Sequence, residues 1–127
     1  MCPLSQTFRA PSPTLGYVTR SISLPLHSAL ELLAGLMLLA GPFLIGAAPA
    51  GLVAGVSLGA VLIGIALAGP EALPLSAHQS FDLMLVAALA GGGLGLALSG
   101  DLAGGLVLAV VGALQLTLVS LTRWVRA

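Results

Sequence analysis

The chain has 127 residues, of which 58% are hydrophobic and 6% are charged, and its formal net charge is zero. Soluble domains carry about 25% charged residues, so the composition excludes a water-soluble globular fold. The absence of lysine and of any basic patch argues against nucleic acid as a partner. A single cysteine, Cys2, excludes an intrachain disulfide and a cysteine-rich metal site.

The first segment, residues 1–23, is polar and rich in serine and proline. Proline removes a backbone donor and opposes helix, so we expect a flexible cytoplasmic tail here. Four apolar runs of about 20 residues follow, at 26–46, 50–68, 80–99 and 102–122. About 20 apolar residues are needed to cross a bilayer as a helix. The sequence therefore predicts an all-α membrane protein, a bundle of four transmembrane helices.

The connections between the runs differ in length. Residues 47–49 and 99–101 are short and predict tight turns, so the first two runs form one helical hairpin and the last two form another. The longer segment between the hairpins predicts a cytoplasmic linker at 69–77. The first repeat is then 24–68, the second is 78–122, and a basic cytoplasmic end occupies 123–127.

A His-x-x-x-acid motif opens each hairpin and indicates a tandem duplication. His27 and Glu31 follow Leu-Pro-Leu directly, while His78 and Asp82 follow a second Leu-Pro-Leu after two extra residues. The two histidines lie 51 positions apart, and the chain has no others. Each hairpin has an even number of spans, so both copies enter the membrane in the same direction. The repeats are predicted to be parallel, related by an axis along the membrane normal.

The arginines predict the orientation. Arg9 and Arg20 precede the first span, Arg123 and Arg126 follow the fourth, and the two tight turns contain none. Positive residues favour the cytoplasmic side, so both termini are expected there in a multi-pass protein of the cell membrane. We expect the terminal basic residues and one tryptophan to anchor the chain at the membrane interface: Arg20, Arg123, Trp124 and Arg126.

Small residues spaced four apart predict close helix packing in the second and fourth spans. They are Gly51, Gly55, Gly59, Gly105, Ala109 and Ala113. Such a face can serve the chain's own bundle or a homo-oligomer. Pro42 in the first span and Gly92 with Gly93 in the third predict a helix break at matching positions. The break either lines a site or is a kink that fits the bundle.

The paired histidines and acids have two explanations. Residues four apart lie on one face of a helix, so each pair can stabilise a helix start at the membrane surface. In the first copy Ser28 also fits a capping box with Glu31. Alternatively, the repeat brings two imidazoles and two carboxylates together, as a proton or ion path or as a divalent metal site. No catalytic motif accompanies them, and we expect no enzyme activity and no cofactor.

The motif resembles the SPW-repeat family of small bacterial integral membrane proteins. In that family a histidine and, four residues later, an acid open a leucine-rich span, with Ser-Pro-Trp about ten residues further on. The residues that match are His27, Glu31 and Pro42 in one copy and His78 and Asp82 in the other. The tripeptide here reads Gly-Pro-Phe at 41–43 and Gly-Gly-Leu at 92–94. Over residues 24–122, the resemblance implies an integral membrane protein without an established activity.

The sequence thus favours a non-enzymatic structural or accessory membrane subunit. It would act by helix packing in the lipid bilayer, with a second copy of itself or with another membrane protein. The alternative is a small proton, ion or metal transporter or channel that uses His27, Glu31, His78 and Asp82. The two hypotheses differ in one geometric expectation, whether the carboxylates of Glu31 and Asp82 meet in the bundle interior.

Overall fold

A computed structural model describes residues 21–124, apart from the side chains of Pro70 and Glu71. Four α-helices follow one another: α1 Leu24–Leu44, α2 Pro49–Ala72, α3 Leu75–Leu98 and α4 Leu102–Leu121. Each contains a segment long and apolar enough to cross a membrane. The all-helical fold and the number of helices are therefore as predicted. Most of the predicted N-terminal tail, including Arg9 and Arg20, lies outside the described residues, as do residues 125–127.

The helix boundaries follow from local chemistry. Proline stands in the first turn of α1 and at the start of α2, where its missing N–H and fixed φ suit a helix start. Gly100, with φ +97°, follows α3 in the left-handed region that glycine adopts without strain. The turn predicted at 99–101 is thus confirmed, and the first hairpin turns between Leu44 and Pro49.

The predicted linker is largely helical instead. α2 continues beyond a kink at Gly69 to Ala72, and α3 already begins at Leu75, so Leu73 and Pro74 separate the two helices. Gly69 explains the difference, because its φ of +63° and ψ of 176° turn the chain while helix continues on both sides. The second hairpin therefore begins at Leu75, three residues before the predicted boundary at His78.

The helices form a bundle in which chain neighbours pack most extensively. α1 pairs with α2 and α3 with α4, and the hairpins join through α1 against α4 and α2 against α3. α2 and α4 also touch, since a Cβ atom on Gly51 would lie 3.0 Å from Cα of Gly104. No Cα atom of α1 lies within 8 Å of one in α3. The first and third helices therefore face each other diagonally across the interior.

Leucine fills the centre of the bundle. Leu38, Leu62, Leu89 and Leu108 come one from each helix and are completely buried, with Val111 beside them. The outer surface is apolar as well, and Leu44 and Leu98 are more than three-quarters exposed. An exposed surface of this kind suits lipid rather than water.

The same positions are buried in α1 and α3, 51 residues apart. In α1 they are His27, Glu31, Ala34, Leu38 and Pro42, and in α3 they are His78, Asp82, Leu85, Leu89 and Gly93. The only other buried residue of α1 is Gly35. The predicted offset thus relates the two inward faces, and it places both polar pairs at the same end of the bundle.

The glycines predicted to mediate packing lie mainly between helices of this chain. A Cβ atom on Gly59 would lie 2.9 Å from the carbonyl oxygen of Gly35, and one on Gly105 would lie 2.7 Å from that of Gly93. Gly51 and Gly55 are buried in the same way, whereas Ala109 and Ala113 are exposed. The two alanines are the members of this set that remain open to another chain.

The predicted helix breaks are not present. α1 continues through Pro42 to Leu44, and α3 is uninterrupted across Gly92 and Gly93. Pro42 lacks the N–H that would bond to the carbonyl of Leu38, and its ring packs against Gly55, where a Cβ atom would lie 2.5 Å from Cγ. These residues therefore provide close helix contacts rather than an interruption.

Candidate functional site

Two histidines and two carboxylates meet inside the bundle. His27 and Glu31 come from α1, His78 and Asp82 from α3, and their exposed fractions are 0%, 0%, 2% and 0%. One ligating atom from each side chain can be chosen so that all four lie within 4.8 Å of one another. The diagonal gap between α1 and α3 is thus filled by four polar side chains. Glu31 and Asp82 thus meet in the bundle interior, which is the arrangement that the alternative hypothesis of a polar site requires.

The helix-start explanation of these pairs is wrong. The N-cap of α1 is Ser23, without a side-chain cap, and Ser28 lies inside the helix. α3 starts after Pro74, and neither helix has an acid in its first turn. Glu31 and Asp82 lie about two turns into their helices, too deep to cap the free amide groups of the ends.

Each imidazole faces both carboxylates. Nε2 of His27 lies 3.1 Å from Oδ2 of Asp82 and 3.3 Å from Oε1 of Glu31. Nε2 of His78 lies 3.3 Å from Oε2 of Glu31 and 3.8 Å from Oδ2 of Asp82. The pairing therefore crosses between α1 and α3 as well as running along each helix.

α4 and the residue that directly follows it supply two further polar side chains that sequence reasoning missed. Nε2 of Gln115 donates to Oε1 of Glu31 over 3.1 Å, and Oγ1 of Thr122 lies 2.7 Å from Nδ1 of His27. Both residues are completely buried. Gln115 could have been noticed as an amide inside an otherwise apolar run, because a polar group within such a helix usually faces the bundle interior.

The contacts of Thr122 assign the tautomer of His27. The Thr122 hydroxyl donates its hydrogen to the carbonyl of Leu118 over 2.6 Å, so it accepts from Nδ1–H of His27. In the neutral imidazole, Nε2 then carries a lone pair. That lone pair points towards oxygens of Glu31 and Asp82, which repel it. A cation between these atoms, either a proton on Nε2 or a metal ion, removes the repulsion.

Trp124 covers the outer end of the centre. Its ring centroid lies 5.2 Å from that of His27 and 6.1 Å from that of His78, and its Nε1 donates to the carbonyl of Val119 over 3.3 Å. The segments flanking the bundle are joined here, because Arg123 N–H donates to the carbonyl of Ile22 over 2.9 Å. Both predicted interface anchors within the described residues, Arg123 and Trp124, thus lie at this end.

Several polar atoms of the centre have no hydrogen-bond partner among the described residues. They are Oε2 of Glu31, Nδ1 of His78, Oδ1 of Asp82 and Oε1 of Gln115. Buried polar atoms are normally paired, and such exceptions mark an ion, a water molecule or a chemical role. The remaining unpaired buried side-chain atom among the described residues is Oδ2 of Asp101, at the opposite end of the bundle.

The opposite end of the bundle holds a separate buried acid. Asp101 caps α4 by accepting from Gly104 N–H over 3.0 Å and is 8% exposed. Between Asp101 and the histidines, the buried side chains of the described residues are apolar, with the four central leucines among them. The two ends are therefore not joined by a polar path.

Comparison with models of known protein families, with characterised proteins and with solved structures gives no match. The resemblance to the SPW-repeat family therefore depends on the motif residues alone and stays a prediction.

Proposed function

We propose that this chain is a multi-pass protein of the cell membrane whose working part is the buried centre of His27, Glu31, His78 and Asp82. Four helices of membrane-spanning length and an apolar outer surface support insertion in a bilayer. The arginines at both ends of the chain support a cytoplasmic location for the termini. The centre then lies near the cytoplasmic face.

A tandem duplication of a helical hairpin explains how the centre arose. The buried positions of α1 and α3 correspond at a constant offset, and each copy contributes one histidine and one acid. Two parallel copies related by an axis along the bundle bring equivalent residues to the same depth. The symmetric crossing of the two pairs supports this origin.

The proposed function is to bind a cation at this centre. This proposal depends on the geometry of His27. Its Nδ1–H donates to Thr122, and its Nε2 faces two carboxylate oxygens. The sequences of α1, α2, α3 and α4 contain no lysine or arginine, so no helix supplies a permanent positive charge to the centre. Two buried carboxylates without positive charge are strongly unfavourable.

A transmembrane channel is not favoured. Ion and proton paths through membrane proteins are lined by polar or ionisable groups. The leucine core closes this bundle between the centre and Asp101. We therefore propose a binding or sensing subunit that exchanges its cation with one side of the membrane only.

A packing role remains a second candidate and uses a different surface. Ala109 and Ala113 are exposed beside Gly93 and Gly105 in a shallow apolar groove between α3 and α4. Small residues let another helix approach closely in lipid. Packing alone does not explain four buried ionisable groups, since well-packed apolar residues in their place are often neutral or stabilising.

The test is whether a cation stabilises the folded protein through this centre. The full chain, purified in detergent, is unfolded with a denaturing surfactant in separate titrations. One contains a chelator, others contain a divalent metal ion, and a further series varies the pH. Binding to the native state alone adds about 2.7 kcal/mol at one hundred times the dissociation constant. We expect at least one cation, the proton included, to stabilise the wild type, and the response to be lost in Asp82→Asn.

Asp101→Asn is the matched control, because it removes a buried acid at the opposite end while keeping a residue that caps helices well. The control should respond to the cation as the wild type does. A wild type whose stability is the same under all conditions contradicts the proposed function.

A further inference from the structure

We infer that the cation is one divalent transition-metal ion, held tetrahedrally by Nε2 of His27, Nε2 of His78, Oδ2 of Asp82 and the carboxylate of Glu31. This assignment rests on the proposed function and names the ligand of the same centre. Imidazole nitrogen and carboxylate oxygen are ligands of zinc, which in closed sites is bound by four protein groups.

The distances between the four side chains fit this geometry. Bonds of about 2.0–2.1 Å from zinc to nitrogen and oxygen place tetrahedral ligand atoms about 3.3–3.4 Å apart. The four contacts between imidazole and carboxylate, two along a helix and two between α1 and α3, measure 3.3, 3.8, 3.1 and 3.3 Å. The two contacts of Glu31 use different oxygens, and with one ligand atom taken from each side chain all four atoms lie within 4.8 Å of one another. The four groups therefore already surround one point, and a single ion would draw their ligand atoms closer together.

The charges balance as well. With both imidazoles neutral, Glu31 and Asp82 contribute two negative charges, and a divalent ion makes the buried centre neutral. A monovalent ion would leave one negative charge uncompensated in an apolar bundle, which is unfavourable. Ca²⁺ and Mg²⁺ are disfavoured because they prefer shells of oxygen ligands, whereas half of these ligands are imidazoles.

The surrounding residues orient the ligands as they do in metal sites. Metal-bound histidines usually donate their second N–H to a fixed acceptor, and ligating carboxylates are themselves hydrogen-bonded. Thr122 accepts from His27 and Gln115 donates to Glu31. Nδ1 of His78 has no such partner among the described residues, so His78 is the ligand held less firmly.

Four protein ligands leave no position for a reactive water molecule. Catalytic zinc sites keep one position open, whereas closed sites hold the metal for structure or binding. The centre is therefore a binding site rather than a hydrolytic one.

The experiment uses Co²⁺ as a spectroscopic substitute for zinc on the full chain purified in detergent after chelation. We expect saturation at one ion per chain, the intense visible absorption of tetrahedral Co²⁺, and displacement of Co²⁺ by Zn²⁺. The single tryptophan, Trp124, lies beside both imidazoles and should be quenched as Co²⁺ binds. His78→Gln should weaken binding at least about a hundredfold, the upper end of the loss seen for partners of metal ligands.

Asp101→Asn again provides the control and should bind Co²⁺ as the wild type does. X-ray absorption of the wild type loaded with zinc gives a second measurement that needs no variant, and should show four nitrogen or oxygen neighbours at about 2.0 Å. Either six neighbours or unchanged binding in His78→Gln overturns the assignment. If the centre responds to protons and binds neither metal, the metal assignment fails while cation binding stands. If it responds to neither, both proposals fail.

Discussion

Thr122→Val tests how the centre is oriented. The substitution keeps the shape of the side chain and removes the oxygen that lies 2.7 Å from Nδ1 of His27. Both residues are completely buried, so water does not replace the lost acceptor. An unsatisfied buried donor costs about 1–3 kcal/mol of folding free energy. If a metal is bound, loss of the partner of a metal ligand lowers affinity about 10–100-fold.

Two measurements follow from these values. Surfactant-induced unfolding of Thr122→Val should show the loss of stability, and competition with a metal indicator should show the loss of affinity. Thr122→Ser keeps the hydroxyl and should restore most of both. If Thr122→Val has the wild-type stability and affinity, the tautomer assigned to His27 is wrong, and with it the main argument for a cation at Nε2.

Three further substitutions test other parts of the structure. Gly59→Ala places a Cβ atom 2.9 Å from a backbone carbonyl of α1 and should lower the free energy of unfolding by about 1–3 kcal/mol. Gly64→Ala, on the same helix, meets nothing within 4 Å and should be neutral or slightly stabilising. Equal effects of the two substitutions in surfactant titrations would contradict this packing. Asp101→Ala removes the acceptor for Gly104 N–H and should lower stability by about 0.5–2 kcal/mol, while Asp101→Asn should not. Thermal unfolding in detergent distinguishes the two variants, and equal midpoints would refute the helix cap. Gln115→Leu removes the donor to a carboxylate of the centre and should weaken Co²⁺ binding about 10–100-fold without changing its stoichiometry; unchanged affinity would place Gln115 outside the site.

The two explanations of the His-x-x-x-acid motif, a helix cap and a buried polar site, place the carboxylates at different distances from the start of the helix. The capping explanation required Glu31 in the first turn, but Pro25 allows α1 to begin at Leu24. That start places Glu31 about two turns into α1, where its side chain faces α3. The position of the helix start therefore separates a surface role from a buried centre.

The low helix propensity of proline and glycine predicted breaks in α1 and α3, but both helices are continuous at these residues. Pro42 and Gly93 occupy equivalent buried positions in α1 and α3. Each lies against a glycine of the next helix, Gly55 or Gly105, so the missing side-chain volume becomes close packing. Propensity alone does not reveal this outcome, because the compensating contact comes from another helix.

The sequence by itself determined the four helices, their hairpin order and the likeness of the two halves. These features depend on the length of the apolar runs, on turn residues and on a motif spaced at 51, all of which are local or directly countable. It also identified all four side chains of the centre, because ionisable residues are rare in this chain and stand out.

Only the tertiary structure decided what those side chains do. The packing of the four helices places α1 diagonal to α3, so that the two pairs meet in the buried interior. The same packing brings Gln115 of α4, and Thr122 just after it, against Glu31 and His27 of α1, which are 84 and 95 residues away in the chain. Such contacts depend on how helix surfaces fit together in space, and spacing along a single chain does not contain that information.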